Sequence, residues 1–175
     1  MNEKLLQEFN VQIKEEFYSA YLYLAMSAKA REMGFEGIAN WFFVQFEEEM
    51  DHGKGIFNFL QNRKVVIDLQ PIPEPEKNLG DSVATLFEMT LAHEKHITGL
   101  IQVLYKMAIE QNDISAVELL RWYISEQVEE ESNATKYLDK STKAVNDSGA
   151  MSLLNEEQST RVYAPMDPVK LSKAT

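Results

Sequence analysis

The sequence predicts an all-α protein, built as a four-helix bundle with one long crossover connection and a short fifth helix near the C-terminus. The 175 residues include seven glycines and five prolines, too few for a turn-rich all-β chain. Four long stretches repeat their apolar residues with the helical period, and a proline-rich segment separates the second stretch from the third. This length suits a single domain with a sizeable core.

The breaks between the periodic stretches set the boundaries of the predicted helices. Gly34 is suited to the C′ position after the first helix, and Asp81 is a natural N-cap for the third. Residues 112–113 turn the chain between the third and fourth helices. The four long helices cover about residues 2–33, 38–63, 81–111 and 114–146, and the short fifth helix covers about 151–163.

The lengths of the connections predict the topology. Two breaks are short, so each joins antiparallel neighbours as a helical hairpin. Residues 64–79 contain Pro71, Pro73 and Pro75, which favour an extended segment. At ~3.3 Å per residue this segment reaches ~50 Å, whereas a helix of about 28 residues is ~42 Å long. It therefore crosses the whole bundle and makes the second and third helices parallel.

Residues 1–163 are expected to form one domain, and residues 164–175 a loose C-terminal tail with two prolines. The chain has no cysteine, which removes disulfides and thiolate metal sites. Its net charge of −11 argues against nucleic acid and favours cations as partners. The acidic N-terminus does not resemble a signal peptide, and no apolar run approaches the ~20 residues that span a bilayer. We expect a cytoplasmic protein without membrane contact.

The apolar stripe of each long helix contains one glutamate. These are Glu16, Glu49, Glu94 and Glu130. Each lies near the middle of its helix, so the bundle topology predicts that all four meet at one level of the core. Buried, unpaired carboxylates cost several kcal/mol each, and no Lys or Arg interrupts the stripes. A lone glutamate of this kind usually reaches water at a helix edge, but four aligned cases favour bound cations over solvent or protonation.

His52 follows Glu49 by three residues and lies on the same helix face. This Glu-x-x-His spacing sets a carboxylate and an imidazole against one metal ion. Two divalent ions would balance the four carboxylates, with one glutamate bridging them. Oxygen donors with a single imidazole suit Fe(II) or Mn(II) better than structural zinc.

Other polar side chains near these stripes have two readings. Glu48, Glu126 and Glu129 lie about 100° around their helices from the inward glutamates, where they either form a neighbouring cation site or face solvent. His93 and His96 flank Glu94 and are expected at the surface or in hydrogen bonds rather than as ligands. The methionines are expected to fill the core.

The segments that carry these acids make the sequence similar to the ferritins, most closely the bacterial and archaeal non-haem ferritins, over about residues 2–163. The matching segments are Glu16-Phe17-Tyr18-Ser19 and Tyr21-Leu22-Tyr23 in the first helix, Glu48-Glu49-Met50-Asp51-His52 in the second, His93-Glu94 in the third, and 122–131 in the fourth.

The resemblance implies a ferroxidase centre with two iron sites that share Glu49. One site would use Glu16, Glu49 and His52, and the other would use Glu49, Glu94 and Glu130. Gln127 and Tyr23 would lie beside these ligands and complete the set of candidate catalytic residues. A third iron site would be formed by Glu48, Glu126, Glu129 and Glu130.

The resemblance also implies activity and assembly. Ferritins oxidise Fe(II) with O₂ or peroxide and store ferric mineral in a hollow shell of 24 subunits, with the fifth helix at a four-fold axis. Haem is not expected, because the fourth helix lacks the second Glu-x-x-His of haem-binding bacterioferritins, although Met50 resembles their haem methionine. Val117 and Leu120 replace the channel acids of animal ferritins, so the resemblance defines no iron entry route.

Two other functions stay open at this point. The acids would also fit a metal-stabilised structural bundle without ferroxidase activity. A DNA-protecting small ferritin is a third hypothesis, but the Glu-x-x-His pair within one chain and the acidic charge count against it.

Overall fold

The structure is a computed structural model that describes residues 1–172. In this range the chain is helical, with no β-strand. The helices are α1 (Glu3–Glu32), α2 (Glu36–Asn62), α3 (Val83–Glu110), α4 (Ile114–Ala144), α5 (Ser148–Ser159) and α6 (Pro168–Leu171). The all-α bundle with a short C-terminal helix is thus confirmed.

The ends of the long helices follow local capping chemistry. Asn2 caps α1 by accepting the N–H of Leu5 at 3.0 Å, and Gly34 follows the helix with a φ of +85°, as predicted. The prediction of Asp81 as the N-cap of α3 was wrong by one residue. Ser82 has the extended backbone of an N-cap and accepts the N–H of Thr85 at 3.0 Å, whereas the exposed Asp81 side chain pairs with Lys29.

The topology is two antiparallel helical hairpins joined by the crossover. α1 packs mainly against α2, and α3 packs mainly against α4. Residues 65–82 contain no helix and connect the two hairpins. No helix within residues 1–172 combines the length and the apolar character needed to cross a membrane.

The core consists of two apolar clusters, one towards each end of the bundle. One cluster includes Phe9, Ile13 and Ile56, and the other includes Trp41 and Phe42. In α1 the clusters stop at Ile13 and resume at Ala20 or later, and the other long helices show a similar gap at mid-length. The four stripe glutamates fall in this gap. The core therefore contains a polar layer between two apolar ones.

The C-terminal part of the chain differs from the prediction. α5 begins at Ser148 rather than near Met151, because the side chain of Asp147 caps it by accepting the N–H of Ala150 at 3.0 Å. Beyond α5 the described residues are not loose. The backbone N–H of Met166 donates to Asp51 of α2 at 2.8 Å, and α6 packs against α2 and α4. Residues 173–175 of the predicted tail lie outside the described residues.

Candidate metal centre

The polar layer brings the four stripe glutamates together inside the bundle, one from each long helix. Their exposed fractions are 1% for Glu16, 2% for Glu49, 1% for Glu94 and 5% for Glu130. Each glutamate lies on the apolar stripe of its own helix, and the hairpin topology places all four at one level of the bundle. A carboxylate at these exposures has lost nearly all contact with water.

Glu16, Glu49 and His52 form the tightest group in this layer. One ligand atom from each residue lies within 4.8 Å of the others, a spacing in which one metal ion can contact all three. His52 Nδ1 is 3.3 Å from Glu49 Oε2. His52 Nε2 and Glu16 Oε2 are buried and have no hydrogen-bond partner among the described residues. Buried polar atoms without partners are costly, and a bound cation would satisfy Glu16 Oε2.

Three glutamines each donate a hydrogen bond to a different carboxylate of the layer. The amide of Gln12 donates to Glu16 Oε1 at 2.9 Å. The amide of Gln45 donates to Glu130 Oε2 at 2.8 Å, and the amide of Gln127 donates to Glu94 Oε2 at 3.0 Å. These bonds fix the orientation of carboxylates that would ligate a metal.

Sequence reasoning found Gln127 but missed Gln12 and Gln45. Gln12 lies one helical turn before its partner Glu16, and this spacing was the available signal. Gln45 bonds to Glu130 on another helix, so local spacing gave no signal for it. Tyr23 lies where the resemblance implied, beside the centre, and its hydroxyl donates to Glu94. His93 bonds to Ser19 Oγ through Nε2 at 2.7 Å, in agreement with a hydrogen-bonding role.

Burial and crowding raise the proton affinity of the layer. Burial raises the pKa of Glu49 and Glu130 well above the usual 4.5, and repulsion from Glu94 raises both further. Burial also raises the pKa of Glu16, although His52 and Gln12 oppose this shift. The protein alone therefore does not supply enough positive charge for these carboxylates, and the missing charge is what a pair of divalent cations carries.

A second acidic group lies next to the layer and consists of Glu48, Glu126 and Glu129, called here the acidic trio. Glu126 Oε1 is 4.0 Å from His52 Nε2, so this group adjoins the buried centre. Burial raises the pKa of Glu48 and Glu126. Arg161 and His52 oppose this shift at Glu48, and His52 opposes it at Glu126, whereas repulsion from Glu129 adds to it at both. Glu48 and Glu126 are partly buried, whereas Glu129 is exposed.

The architecture and the carboxylate–imidazole layer define a helical bundle protein whose core contains a group of residues that could hold a metal ion. The chain belongs to the ferritin-like domain family, whose model matches residues 6–144.

Comparison with individual proteins narrows the resemblance to prokaryotic ferritins. The bacterial non-heme ferritin of Staphylococcus saprophyticus is 32% identical over 163 residues, which cover 93% of this chain and 97% of that protein. The bacterial non-heme ferritin of Staphylococcus aureus is 29% identical over 163 residues, which cover 93% and 98%. The predicted relationship to bacterial and archaeal non-haem ferritins is therefore confirmed.

Solved structures agree with this relationship. An open-pore ferritin from the archaeon Archaeoglobus fulgidus superposes with a TM-score of 0.89 at 36% identity, covering 93% of this chain and 99% of that one. A closed form of the Archaeoglobus fulgidus ferritin, engineered by site-directed mutagenesis, superposes with a TM-score of 0.90 at 35% identity, covering 94% and 99%. Iron storage and ferroxidase chemistry are thereby supported at the level of the family.

Proposed function

We propose that this chain is the subunit of an iron-storing ferritin that oxidises Fe(II) to Fe(III) at a di-iron ferroxidase centre. The observation that carries the proposal is the buried layer of four glutamates, one from each long helix, with His52 beside them. A layer of this kind is costly without cations and well suited to two of them. Membership of the ferritin-like domain family makes iron the expected metal, since ferritins bind iron.

The proposed ligand assignment is the one that the resemblance to ferritins implies, and the close group of Glu16, Glu49 and His52 supports its first site. Glu16, Glu49 and His52 bind one iron, and Glu49, Glu94 and Glu130 bind the second, with Glu49 shared. Each Fe(II) loses one electron to O₂, and the two electrons with two protons convert O₂ to hydrogen peroxide. Hydrogen peroxide is the alternative to O₂ as the oxidant of Fe(II). Hard carboxylate oxygens favour the Fe(III) product, which lowers the barrier to electron loss.

The acidic trio supports a third iron site next to the centre. Glu48, Glu126 and Glu129 adjoin Glu130 on α4 and the imidazole of His52, so an ion leaving the centre has carboxylates within reach. The net charge of −11 also favours cation uptake. No haem is part of the proposal.

The subunits are proposed to assemble into a hollow homo-oligomeric shell of 24 chains in the cytoplasm, where ferric mineral collects. The close superposition on ferritins from Archaeoglobus fulgidus over nearly the whole chain supports this assembly. Light scattering tests it, because a shell has a mass far above the 20.1 kDa of one chain. A monomer or dimer at micromolar concentration would contradict it.

Rapid mixing of the metal-free protein with Fe(II) and O₂ tests the ferroxidase centre. We expect a transient visible absorbance during oxidation, and we expect Glu49→Ala and His52→Ala to abolish it because each removes a ligand from the closest group. Glu88→Ala is the matched control, since Glu88 is an exposed glutamate of α3. Undiminished oxidation in both ligand variants would refute the assignment.

The same proteins separate this function from a metal-stabilised structural bundle. With Zn(II), a structural site would raise the free energy of unfolding by RT ln(1 + [L]/Kd), about 2.7 kcal/mol at 100 times Kd, and so raise the melting temperature, without any oxidation of Fe(II). A ferroxidase shows both effects. A small ferritin with metal sites between subunits fits less well, because Glu16, Glu49 and His52 meet within one chain.

A further inference from the structure

The C-terminal segment after α5 is fixed along α2 on the side that carries the acidic trio. The side-chain amide of Asn40 donates to the carbonyl oxygen of Arg161 at 2.9 Å. The hydroxyl of Tyr163 donates to Asp51 Oδ2 at 2.5 Å, and the backbone N–H of Met166 donates to the same oxygen at 2.8 Å. Residues 161–166 are therefore held at both ends, and the position of the Arg161 side chain is set by the fold.

The guanidinium of Arg161 is bound directly to the acidic trio. Its Nη2 donates to Glu48 Oε2 at 2.5 Å, and its Nη1 donates to the carbonyl oxygen of Trp41 at 3.3 Å. The guanidinium carbon is 5.0 Å from the centre of the Trp41 ring. The side chains of Arg161 and Glu48 are 23% and 17% exposed. A stacked, partly buried arginine loses little freedom on pairing, so this contact is more than a mobile surface ion pair.

Arg161 is the one lysine or arginine within residues 1–172 that forms an ion pair with the trio. The other positive candidate is His52, whose Nε2 is 4.0 Å from Glu126 Oε1. His52 is 1% exposed, and this nitrogen has no hydrogen-bond partner in the described part of the chain. This unpartnered nitrogen lies between the buried centre and Glu126, so the trio and the centre are in direct contact at this point.

We propose that Arg161 is the resident cation of the third iron site and determines how readily that site accepts iron. The inference deepens the proposed function and rests on it. With Arg161 on Glu48 the three acids and the guanidinium have a net charge of −2, and without the guanidinium the three acids have −3. An iron ion that binds Glu48 Oε2 competes with the guanidinium for that oxygen and is repelled by its charge, so the C-terminal segment weakens the binding of iron beside the centre.

Calorimetric titration of the metal-free, full-length protein with Zn(II) tests this proposal. We expect Arg161→Leu to tighten binding at the third site by about tenfold, the scale of changes made next to metal ligands, and to leave the first two sites unchanged. Adding Glu129→Ala to this variant should remove the gain, because Glu129 belongs to the same site. Equal third-site affinity in wild type and Arg161→Leu would overturn the proposal.

Two control variants separate charge from folding. Lys140→Met removes another basic side chain that holds α5 to α4, through Glu157 at 2.6 Å, and should leave all Zn(II) affinities unchanged. Arg161→Lys keeps the charge and should stay close to wild type. If Arg161→Lys tightened the third site as much as Arg161→Leu, loss of packing rather than of charge would explain the effect, and the proposal would fail.

The failure of this proposal is distinguishable from the failure of the proposed function. If wild type lacks the two tight Zn(II) sites and does not oxidise Fe(II), the di-iron centre itself is wrong, and the role of Arg161 falls with it. If both tight sites and Fe(II) oxidation are present while Arg161→Leu changes nothing, only the role of Arg161 is refuted.

Discussion

At the scale of single residues, the metal centre depends on amide donors as well as on acids. Gln12, Gln45 and Gln127 each hold a carboxylate that is proposed to bind a single iron. No amide within residues 1–172 donates to Glu49, the carboxylate proposed to bridge. Its carboxylate oxygen Oε2 lies instead 3.3 Å from His52 Nδ1. Three ligands oriented by amides and one bridge without an amide donor would allow the distance between two irons to change while the outer ligands stay in place.

Replacing one of these glutamines tests their role. We expect Gln45→Leu to weaken Zn(II) binding at the second site by about tenfold, because Glu130 loses the 2.8 Å hydrogen bond that orients it. Calorimetry measures the affinity. Gln61→Leu makes the same chemical change at an exposed position of the same helix and should have no effect. Equal affinities in the two variants would show that Gln45 only fills space.

The acids of the centre could be located from the sequence, whereas an amide donor that bonds to them from another helix could not. A glutamate in an apolar stripe is visible in the periodicity of one helix, so Glu16 and Glu94 needed no partner to be noticed. Gln45 acts on a residue 85 positions away, and the pairing of α2 with α4 decides that contact. The ligand roles themselves stay predictions until metal is bound.

At the scale of helices, α5 completes the N-terminus of α2. Phe35 at the N-cap of α2 makes no side-chain capping bond. Asn155 of α5 supplies it, because its Oδ1 accepts the N–H of Gly37 at 2.8 Å and that of Ile38 at 3.1 Å. The close approach needs a glycine, since a Cβ on Gly37 would lie 1.7 Å from the carbonyl oxygen of Asn155. Local sequence patterns cannot reveal a capping bond between residues that are 118 positions apart.

The substitution Gly37→Ala is therefore expected to push α5 away from α2. We expect the free energy of unfolding to fall by roughly 1–3 kcal/mol, because α5 must shift to admit the methyl group. Urea unfolding of the metal-free protein measures it. Gly99→Ala is the matched control in α3, where a Cβ meets nothing within 4 Å, and it should instead stabilise by about 0.5–1 kcal/mol. Equal effects of the two substitutions would contradict the packing shown by α5.

At the scale of the whole molecule, the polar layer makes stability depend on protons when metal is absent. Glu16, Glu49 and Glu130 have pKa values above the usual 4.5 in the folded state, chiefly because they are buried. At these three glutamates the folded protein therefore holds more protons than the unfolded chain between pH 4.5 and the raised pKa values, so their contribution to stability falls as pH rises through that window. Burial lowers the pKa of His93, which opposes this effect below its usual 6.5, but one imidazole is outnumbered by three carboxyl groups.

This linkage gives a measurable slope. We expect the metal-free protein to be more stable towards urea at pH 5.5 than at pH 7.5, and we expect Glu130→Gln to flatten the dependence. Glu88→Gln, at an exposed position, should leave it unchanged. Excess Zn(II) should reverse the slope, because metal ions compete with protons for the same oxygens. A metal-free protein whose stability rises from pH 5.5 to 7.5 would show that the layer is ionised and satisfied by other means.

The bundle and its crossover could be predicted because they follow from local periodicity and connector length. The placement of residues 161–172 could not, because it depends on single long-range bonds to Asn40 and Asp51. Burial alone would raise the pKa of Asp51, but hydrogen bonds from Lys54, Tyr163 and Met166 outweigh it and lower that pKa. Proline-rich composition gave no sign of this attachment.

The position of the polar layer between the two hairpins has a mechanical consequence. Glu16, Glu49 and His52 come from the α1–α2 hairpin, and Glu94 and Glu130 come from the α3–α4 hairpin, while contacts between the hairpins are fewer than contacts within them. The proposed iron pair, shared by the two hairpins, would be a reversible cross-link between them. Loading would stiffen each subunit from within, and a chelator would restore its breathing motion without breaking a covalent bond.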